Sequence, residues 1–227
     1  LTWLSAYGFG LVASDGNAPA QTVRLVIIAL VSVLAVLAAH QRCKQEDALV
    51  EAERERALVD QVRREAFTDL LTGLQNRRGL AAALEDEVRD EVWTVVSIDC
   101  DGLKAINDGL GHAVGDEYLQ TAALRLSRAL GTQDHLGRWG GDEFLAVLPM
   151  APDRALPVLR RVHHQVTRDP VQTTSGQVGL RATFGAAAWA PGQQFEHALR
   201  EADHALYEGK RSGGNVVVVL GADEPAT

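Results

Sequence analysis

The sequence has few cysteines and fewer basic than acidic residues, and each of these shortages argues against one class of protein. Its two cysteines, Cys43 and Cys100, lie in segments that indicate a polar helix and the end of a strand. This argues against a disulfide framework and fits a reducing, cytoplasmic setting. The 22 Lys and Arg residues do not balance the 30 Asp and Glu residues, and the formal net charge of −8 argues against a nucleic-acid-binding surface. An anionic substrate would therefore need a metal ion or a local cluster of Lys and Arg.

The length and composition predict one folded domain of ordinary size with an additional segment. The chain has 227 residues, of which 46% are hydrophobic and 23% are charged, so it can bury a sizeable core. Because it begins with Leu1 rather than methionine, we expect it to be part of a longer chain. We expect residues 221–227 to form a disordered tail.

The first 40 residues contain a long hydrophobic run that predicts a membrane segment. Residues 25–39 are apolar apart from Ser32, and a transmembrane helix over residues 23–39 nearly spans the roughly 30 Å hydrocarbon core if Arg24 extends toward the headgroups. A buried helix or the apolar region of a signal peptide would give the same pattern, although no small-residue cleavage site follows. Basic residues after the run predict a cytoplasmic C-terminal side, and hence an inner-membrane protein whose remaining chain lies in the cytoplasm.

Residues 41–66 predict one continuous helix that links the apolar run to the rest of the chain. The segment is rich in Glu, Arg, Ala and Leu and contains neither Gly nor Pro. Its apolar residues form a thin coiled-coil stripe that is interrupted by Arg56. The stripe consists of Leu49, Ala52, Val59, Val62 and Ala66. Two interpretations stay open: a helix that pairs two copies of the chain, and a solvent-exposed spacer.

Beyond residue 67 the pattern changes to alternating strands and helices. Runs of β-branched and apolar residues predict strands at 92–98, 136–139, 144–148, 180–189 and 216–220. Apolar residues at helical spacing predict helices at 116–130, 153–168 and 195–211. The order strand, helix, hairpin, helix, strand predicts an α/β (α+β) sandwich of ferredoxin-like character, with helices against one sheet.

Two acidic clusters at strand ends form the candidate catalytic centre. Asp99 follows the strand at 92–98, and Asp142 and Glu143 lie at the tip of a Gly-Gly hairpin. If the two strands are neighbours, these carboxylates converge, and such a group suits Mg²⁺ in phosphoryl or nucleotidyl transfer. Each cluster alone is more often an exposed turn. The two glycines admit a phosphate group close to the backbone, which shifts the balance toward a site.

Several separate motifs follow one another over residues 67–220, in addition to the Gly-Gly-Asp-Glu-Phe run at 140–144. The motif residues are 69–74 with 76–78, Asp99 and Asp101, Lys104 with Asn107 and Asp108, Gly111, His112, Gly115 and Asp116, Arg138 with the run at 140–144, and Ala202, Asp203, Tyr207 and Lys210. In these motifs and in their order, the chain resembles the GGDEF family of diguanylate cyclase domains.

This resemblance implies a fold like the palm of class III nucleotidyl cyclases and the synthesis of cyclic di-GMP from two GTP molecules. In the family, the 3′-hydroxyl of one GTP attacks the α-phosphorus of the other, pyrophosphate leaves, and the step occurs twice. Each domain holds one GTP, so two domains are expected to face each other in a homodimer. The expected cofactor is Mg²⁺ or Mn²⁺.

The resemblance also implies roles for the acidic residues and for one lysine. Asp99 and Asp142 are expected to bind the metal together with the backbone carbonyl of Cys100. Glu143 is expected to complete the metal shell or to help deprotonate the attacking hydroxyl, a role for which we favour Asp142. Lys104 is expected to stabilise phosphate charge in the transition state. An exposed surface lysine would leave the same signal.

Further residues are expected to bind the nucleotide. The resemblance assigns Asn107 and Asp116 to guanine, whose Watson–Crick edge offers two adjacent donors that one carboxylate can accept, unlike adenine. Asp116 can also cap the following helix. His112 can contact the ribose or simply pack in its loop. The expected phosphate site comprises Gly140, Gly141 and Lys210.

Three departures from the family pattern bear on these expectations. Gly102 or Leu103 stands where an aromatic residue is usual, which would loosen the loop after Asp99. Gly214 stands where an arginine is common, so one triphosphate contact is missing, and Arg211 could reach in its place. The product-inhibition motif Arg-x-x-Asp reads Gly-Thr-Gln-Asp at 131–134, so we expect no tight feedback binding of cyclic di-GMP there.

Two functions remain as hypotheses. The first is an active, membrane-tethered diguanylate cyclase whose rate depends on pairing through residues 41–66. The second is a degenerate domain that binds GTP or a protein partner without catalysis. The unbroken acidic set favours the first, whereas Gly102 and Gly214 keep the second open. A cyclase for another nucleotide is disfavoured by the guanine-reading pair.

Overall fold

The structure is a computed structural model that describes residues 18–85, 87 and 90–221. The expectations for the first part of the membrane segment, residues 1–17, and for the tail, residues 222–227, fall outside this range. The chain divides into two compact units, Leu1–Asp60 and Gln61–Thr227.

The N-terminal helix α1 (Ala18–Phe67) extends without a break. The two helices predicted at 23–39 and 41–66 are therefore parts of one helix, since neither glycine nor proline occurs between residues 20 and 67. Its segment Ala20–Arg56 is long and apolar enough to be a candidate membrane span, by length and composition. Within this segment the Ser32 hydroxyl donates to the Ile28 carbonyl at 2.8 Å, so its polar group is satisfied inside the helix.

The second unit is built on strands that lie in one large sheet and one small hairpin. The large sheet contains β1 (Gln75–Asn76), β2 (Trp93–Cys100), β3 (His135–Gly140), β4 (Glu143–Leu148), β7 (Ala182–Trp189) and β8 (Val217–Val219). The small hairpin consists of β5 (Val171–Thr173) and β6 (Gly176–Val178). The order in the large sheet is β1-β3-β4-β2-β7-β8. Its four inner strands are antiparallel, and each edge strand pairs in parallel.

The four inner strands give the ferredoxin-like arrangement that the sequence predicts. Along the chain, β2 is followed by helices, then by the β3–β4 hairpin, another helix and β7. In space β2 lies between β4 and β7, with β3 outside β4. This order places the end of β2 in the centre of the sheet, flanked by the β3–β4 turn and the start of β7.

Helices cover both faces of the sheet. The helices are α2 (Arg77–Glu85), α3 (Leu103–Leu110), α4 (His112–Ala129), α5 (Pro152–Thr167) and α6 (Phe195–Arg211). The side chains of Val96 and Ile98 pack with those of α4 and α5 in one core cluster. Val95 packs with α2 and α6 in the other cluster. Because side chains alternate along a strand, successive residues of β2 serve opposite faces.

Two predicted boundaries at the site are corrected. Asp99 and Cys100 belong to β2 and do not follow it, because Glu143 and Ala182 on the neighbouring strands continue the pairing. Helix α4 begins at His112, after Gly111 with a φ of 92°, and not at Asp116. Asp116 lies inside the helix, so its expected capping role is wrong.

Candidate active site

Asp99 and Glu143 meet on adjacent central strands. They lie directly opposite each other in the antiparallel β2–β4 pair, so both side chains project from the same face of the sheet. This is the face covered by α2 and α6, because Val95, two positions from Ser97 and four from Asp99, packs against those helices. The convergence that the sequence predicted for these two carboxylates thus follows from strand register.

Helix α6 brings two charged residues over this face. Asp203 and Lys210 are seven residues apart and so lie on one side of the helix. Lys210 Nζ lies 2.6 Å from Asp99 Oδ2, and Ser97 Oγ donates to Asp203 Oδ1 at 2.6 Å. The expected phosphate ligand Lys210 is therefore paired with an acidic residue of the site. Sequence reasoning gave Asp203 no role, although its seven-residue spacing from Lys210 was available as a signal.

Burial and neighbouring negative charge raise the pKa of both central carboxyl groups. Asp99 is only 5% exposed, and this burial raises its pKa, as does the charge of Asp142, while the hydrogen bond from Lys210 opposes the shift. The pKa of Glu143 is raised by partial burial and by the charges of Asp99 and Asp142. The negative charges of these neighbouring carboxylates repel one another. A cation or a proton at this place would reduce that repulsion.

A two-residue turn connects β3 to β4 and carries Asp142. Gly141 has a φ of 51°, in the left-handed region that glycine adopts without strain. The Cys100 N–H donates to the Asp142 carbonyl at 3.1 Å, which fixes the turn to the end of β2. An added Cβ at Gly140 or Gly141 would meet no atom within 4 Å. Both expected phosphate-site glycines therefore border open space.

Arg138 connects this turn to Asp69. Its Nε and Nη2 donate to the Gly141 carbonyl at 3.0 and 2.7 Å, and its Nη1 donates to Asp69 Oδ1 at 3.0 Å. Burial of Asp69 opposes ionisation, but hydrogen bonds from Thr72 and Arg138 outweigh it and lower the pKa of Asp69. The Asp69 and Arg138 motifs of the resemblance thus support the turn, and do not line the acidic cluster.

Cys100 presents its backbone and its side chain to different places. Its thiol is buried in the core cluster formed with α4 and α5, and burial raises its pKa well above the usual range. The thiol is therefore no ligand for a cation at the acidic face. Only the backbone carbonyl, as the resemblance implies, could serve there.

The donor chemistry of the acidic face fits a hard divalent cation. Its side chains are carboxylates, two of which, Asp99 and Glu143, have a raised pKa because of burial and neighbouring negative charge. Oxygen donors of this kind are what Mg²⁺ prefers. Among residues 18–85, 87 and 90–221, no three Asp, Glu, His or Cys side chains are already gathered closely enough to hold a metal ion. Instead, the ammonium group of Lys210 accompanies Asp99.

The expected guanine readers lie on α3 and α4, which pack against each other. Asn107 is half-buried on α3, and Asp116 is exposed on α4 beside Gly115. An added Cβ at Gly115 would overlap Asn107 Oδ1, so the Asn107 side chain rests directly on this glycine. The close approach of the two helices thus places Asn107 next to the turn of α4 that carries Asp116.

Lys104 and His112 are exposed near the ends of the same two helices. Lys104 lies in the first turn of α3, and His112 is the first residue of α4. Within the part of the chain that the structure describes, neither makes a hydrogen bond or ion pair with the acidic cluster. Their expected roles at the phosphates and the ribose stay predictions.

Asp101 has a structural role beside the site. Its carboxylate accepts hydrogen bonds from Thr183 Oγ1 at 2.8 and 3.0 Å and from the Asn215 N–H at 2.8 Å. Gly214 has a φ of 70°, and an added Cβ there would lie 3.1 Å from Asp101 Oδ2. A side chain at 214 would therefore be strained in this chain and would crowd Asp101.

Two further features that the sequence analysis named are Arg211, which lies at the end of α6, and the segment 131–134, which forms a turn. Arg211 contacts Glu208 at 3.3 Å and lies over the Tyr207 ring at 5.8 Å. In the segment at 131–134, the Gly131 N–H donates to Asp134 Oδ2 at 2.7 Å. The aspartate retained from the product-inhibition motif thus closes the turn before β3.

Comparison with known proteins identifies a family for the second unit. The family described as "Diguanylate cyclase, GGDEF domain" matches residues 66–216. Among curated proteins, none matches the chain significantly.

Solved structures give the same result. The coiled coil and GGDEF domain of DgcB from Caulobacter crescentus, in complex with c-di-GMP, is 28% identical with a TM-score of 0.67, covering 79% of this chain and 98% of that one. Diguanylate cyclase SiaD from Pseudomonas aeruginosa, in complex with its activator SiaC, is 26% identical with a TM-score of 0.65, covering 96% and 98%. The GGDEF domain of TpbB (YfiN) from the same organism is 33% identical with a TM-score of 0.58, covering 67% and 93%.

Proposed function

Because the chain belongs to the GGDEF family of diguanylate cyclase domains, we propose that it condenses two GTP molecules into cyclic di-GMP and releases two molecules of pyrophosphate. The observation that carries this proposal is the register of β2 and β4, which sets Asp99 opposite Glu143 beside the turn that carries Asp142. A catalytically degenerate domain would not need to keep all three carboxylates at one strand end.

The reaction requires that the 3′-hydroxyl of one GTP lose its proton as its oxygen attacks the α-phosphorus of the other. Asp142 accepts that proton, and Glu143, whose pKa is raised, is the alternative acceptor. The bond between the α-phosphorus and the bridging oxygen breaks, and pyrophosphate leaves. Lys104 and Lys210 stabilise the negative charge on the phosphates.

Asp99, Asp142, Glu143 and the Cys100 carbonyl are the groups that would hold Mg²⁺ or Mn²⁺. When bound, the metal would supply charge stabilisation at the phosphate oxygens. Lys210 must then leave Asp99 Oδ2 and turn toward the phosphates. Its long side chain, 41% exposed, permits this movement.

Guanine is the base that we assign to the α3–α4 pair. Asp116 accepts both hydrogen bonds from the Watson–Crick edge of guanine, and Asn107 adds a further polar contact. We assign His112, the exposed first residue of α4, to the ribose. The packing of Asn107 on Gly115 supports this assignment, because it fixes the amide beside the turn that carries the carboxylate.

Two copies of the domain must cooperate, since one domain holds one GTP. We assign their pairing to the catalytic domains and to the stripe at 49–66 of α1. The described apolar side chains of that stripe support this, because Leu49, Val59 and Val62 are each about 60% exposed and could be buried against a second copy.

We assign the N-terminal half of α1 to the inner membrane, with the catalytic domain in the cytoplasm. The large apolar side chains from Val23 to Leu37 are each more than half exposed, which would be costly in water and favourable in lipid. Sedimentation of the full chain with membranes after alkaline carbonate washing is the expected result. Release into the supernatant would contradict the assignment.

The direct test of the proposed reaction is product formation. We expect the purified full chain, incubated with GTP and Mg²⁺, to form cyclic di-GMP detectable by chromatography. Asp142→Ala should lower the rate by about 100-fold or more, because it removes the proton acceptor. Asp90→Ala, at an exposed aspartate outside the site, is the matched control and should leave the rate unchanged.

The second candidate function is a domain that binds GTP without catalysis. The glycines at 102 and 214 favour it, because they stand where the family pattern has side chains, one of them an arginine expected to contact the triphosphate. If the wild-type chain binds GTP but forms no cyclic di-GMP, this second function replaces the first.

Feedback by the product at 131–134 is not part of the proposal. The arginine that would clamp phosphate and guanine is Gly131 here, and Asp134 is engaged in a turn. We expect the Asp142→Ala variant to show no saturable micromolar binding of cyclic di-GMP at this surface by calorimetry. Such binding, if abolished by Asp134→Ala, would refute the expectation.

A further inference from the structure

A cavity of about 390 Å³ lies where the end of β2, the residue before β7 and the loop after α6 come together. Two of its lining positions, Gly102 and Gly214, are departures from the family pattern noted in the sequence. An added Cβ at Gly102 would meet no atom within 4 Å, so the missing side chains keep this cavity open. The lining residues are Asp101, Gly102, Arg181, Lys210, Gly213 and Gly214.

Arg181 is fixed at the edge of this cavity by its backbone. The Arg181 N–H donates to the hydroxyl of Tyr118 at 3.0 Å, and Tyr118 is completely buried. The Asp101 N–H donates to the Arg181 carbonyl at 2.9 Å. These two bonds tie Arg181 to α4 and to the residue after β2, so its Cα has a defined position beside the site.

The guanidinium of Arg181 is available to a ligand. Its Nη2 donates to the Gly213 carbonyl at 3.1 Å. A guanidinium carries five N–H donors, and among the described residues no other hydrogen bond from this group is present. Arg181 can therefore hold the loop after α6 with one donor and still present a fork to an anion.

The charges around the cavity favour an anion. Arg181 and Lys210 contribute two positive charges, against one negative charge from Asp101. Both oxygens of that carboxylate accept hydrogen bonds, from Thr183 and from the Asn215 N–H, which satisfies them within the protein. Arg181 is thus the charged group of the lining that is left to meet a ligand, and Lys210 can join it once it leaves Asp99 Oδ2.

We propose that Arg181 binds the β- and γ-phosphates of the substrate nucleotide in this cavity, in place of the arginine that is missing at 214. This rests on the proposed function, because it takes a nucleoside triphosphate as the substrate. Arg181 and Lys210 approach the polyphosphate from two different elements, the start of β7 and the end of α6. The triphosphate contact that the sequence lacks at one position is thus supplied from another.

Arg211 is the rival candidate, and its surroundings do not favour it. It contacts Glu208 and Tyr207 on its own helix and is not among the residues that line the cavity. It therefore provides a matched control: an exposed arginine one residue from Lys210, on the same helix end.

The test measures binding, so that it does not depend on turnover. The full chain with Mg²⁺ is titrated with GMP and with a GTP analogue whose α,β-bridging oxygen is replaced by methylene. Arg181→Ala should weaken binding of the analogue by about tenfold or more, as expected for a lost charged hydrogen bond, and leave GMP affinity unchanged. Arg181→Gln, which can still donate to Gly213, should give the same loss, whereas Arg211→Ala should bind both ligands like wild type.

Several results would overturn the proposal: unchanged affinity of both Arg181 variants for the analogue, an equal loss for GMP, or a selective loss in Arg211→Ala instead. If the Arg181 variants lose the analogue selectively and the wild-type chain makes no cyclic di-GMP, the inference stands and the proposed function fails. If they make cyclic di-GMP with an unchanged KM for GTP, the function stands and the inference fails.

Discussion

Asp69 is a residue whose contribution to stability depends on its charge. Its carboxylate accepts hydrogen bonds from Thr72 and Arg138, and its pKa is lowered in the folded protein despite partial burial. A lowered pKa stabilises the fold above the unfolded-state pKa of about 3.9, and the effect is lost as pH falls through the folded-state pKa. We expect Asp69→Asn to cost about 1–2 kcal/mol at neutral pH, a value reduced from that of a buried charged bond because the side chain is 24% exposed.

Urea denaturation followed by tryptophan fluorescence at neutral and acidic pH measures this difference. The gap in unfolding free energy between wild type and Asp69→Asn should shrink as pH falls below about 4. Glu201→Gln, at an exposed position on α6, is the control and should show no comparable gap at either pH. A gap that stays constant with pH would mean that shape, and not charge, gives Asp69 its effect.

Gly115 is a residue whose lack of a side chain makes room for Asn107. In Gly115→Ala the new Cβ would overlap Asn107 Oδ1, so the amide must leave its place while the helix itself gains an intrinsically better residue. We therefore expect the KM for GTP to rise about tenfold, the size of a lost polar contact, with little loss of stability. Steady-state kinetics together with a melting curve separate the two effects.

The control for this substitution is on the partner helix. Gly109 is also helical, but an added Cβ there would meet no atom within 4 Å. Gly109→Ala should stabilise the protein slightly and leave the KM unchanged. An equal KM for wild type and Gly115→Ala would show that Asn107 does not contact the substrate from its present position.

The packing of α6 on β7 sets the position of the helix that places Lys210 beside Asp99. An added Cβ at Gly185 would overlap the backbone of α6 at Ala202 and Leu206, which cannot move as a side chain can. Gly185→Ala should therefore destabilise the protein by about 3 kcal/mol and lower activity, because the shift carries Lys210 with the helix.

Denaturation and product assays on the same preparation test this expectation. Gly179→Ala, where the added Cβ has open space, should behave like wild type. Full stability in Gly185→Ala would mean that α6 can move away from the sheet at little cost.

Among the helices and strands, those with a clear hydrophobic periodicity were predicted from the sequence. The helix at 195–211 and the strands around the Gly-Gly turn agree with the structure to within a residue. Helices α2 and α3 and the β5–β6 hairpin were not predicted. They are short, and glycines interrupt the apolar pattern of α3 and of the start of α4. The packing of α3 on α4 includes the close approach of Asn107 to Gly115, which hydrophobic periodicity does not reveal.

For the candidate site, the sequence predicted which acidic residues lie on neighbouring strands better than it predicted which side chains pair with them. Convergence of Asp99 with Glu143 followed from assuming neighbouring strands, which the sheet order confirms. The pairing of Lys210 with Asp99 was not predicted, because it joins residues 111 positions apart and depends on where α6 packs. Arg181 carried no motif signal, and only the cavity reveals it.

For the whole molecule, two chains are expected to be needed for one product. Specific activity of the full chain should rise with protein concentration and then level off, because in the proposed reaction each domain would supply one GTP. Val59→Asp with Val62→Asp should move the half-maximal concentration upward by about tenfold or more, since each would bury a charge in the paired stripe.

A series of product assays across protein concentration provides the measurement. Glu53→Asp, an exposed acidic position of α1 outside the stripe, should leave the curve in place. Specific activity that is independent of concentration over the whole range, in wild type and in the double variant alike, would exclude this mode of pairing.

Side chains along β2 alternate between the two faces of the sheet, and this alternation limits changes in the length of the strand. Asp99 faces the acidic site and Cys100 faces the aliphatic core, one residue apart on a strand that both neighbours hold in register. Inserting or deleting one residue within β2 would bury the carboxylate among aliphatic side chains and turn a thiol toward the acidic face. A point substitution at the site changes one side chain and leaves the others on their faces of the sheet. A single-residue change in the length of this strand reverses several side chains at once, so it should abolish folding and activity together.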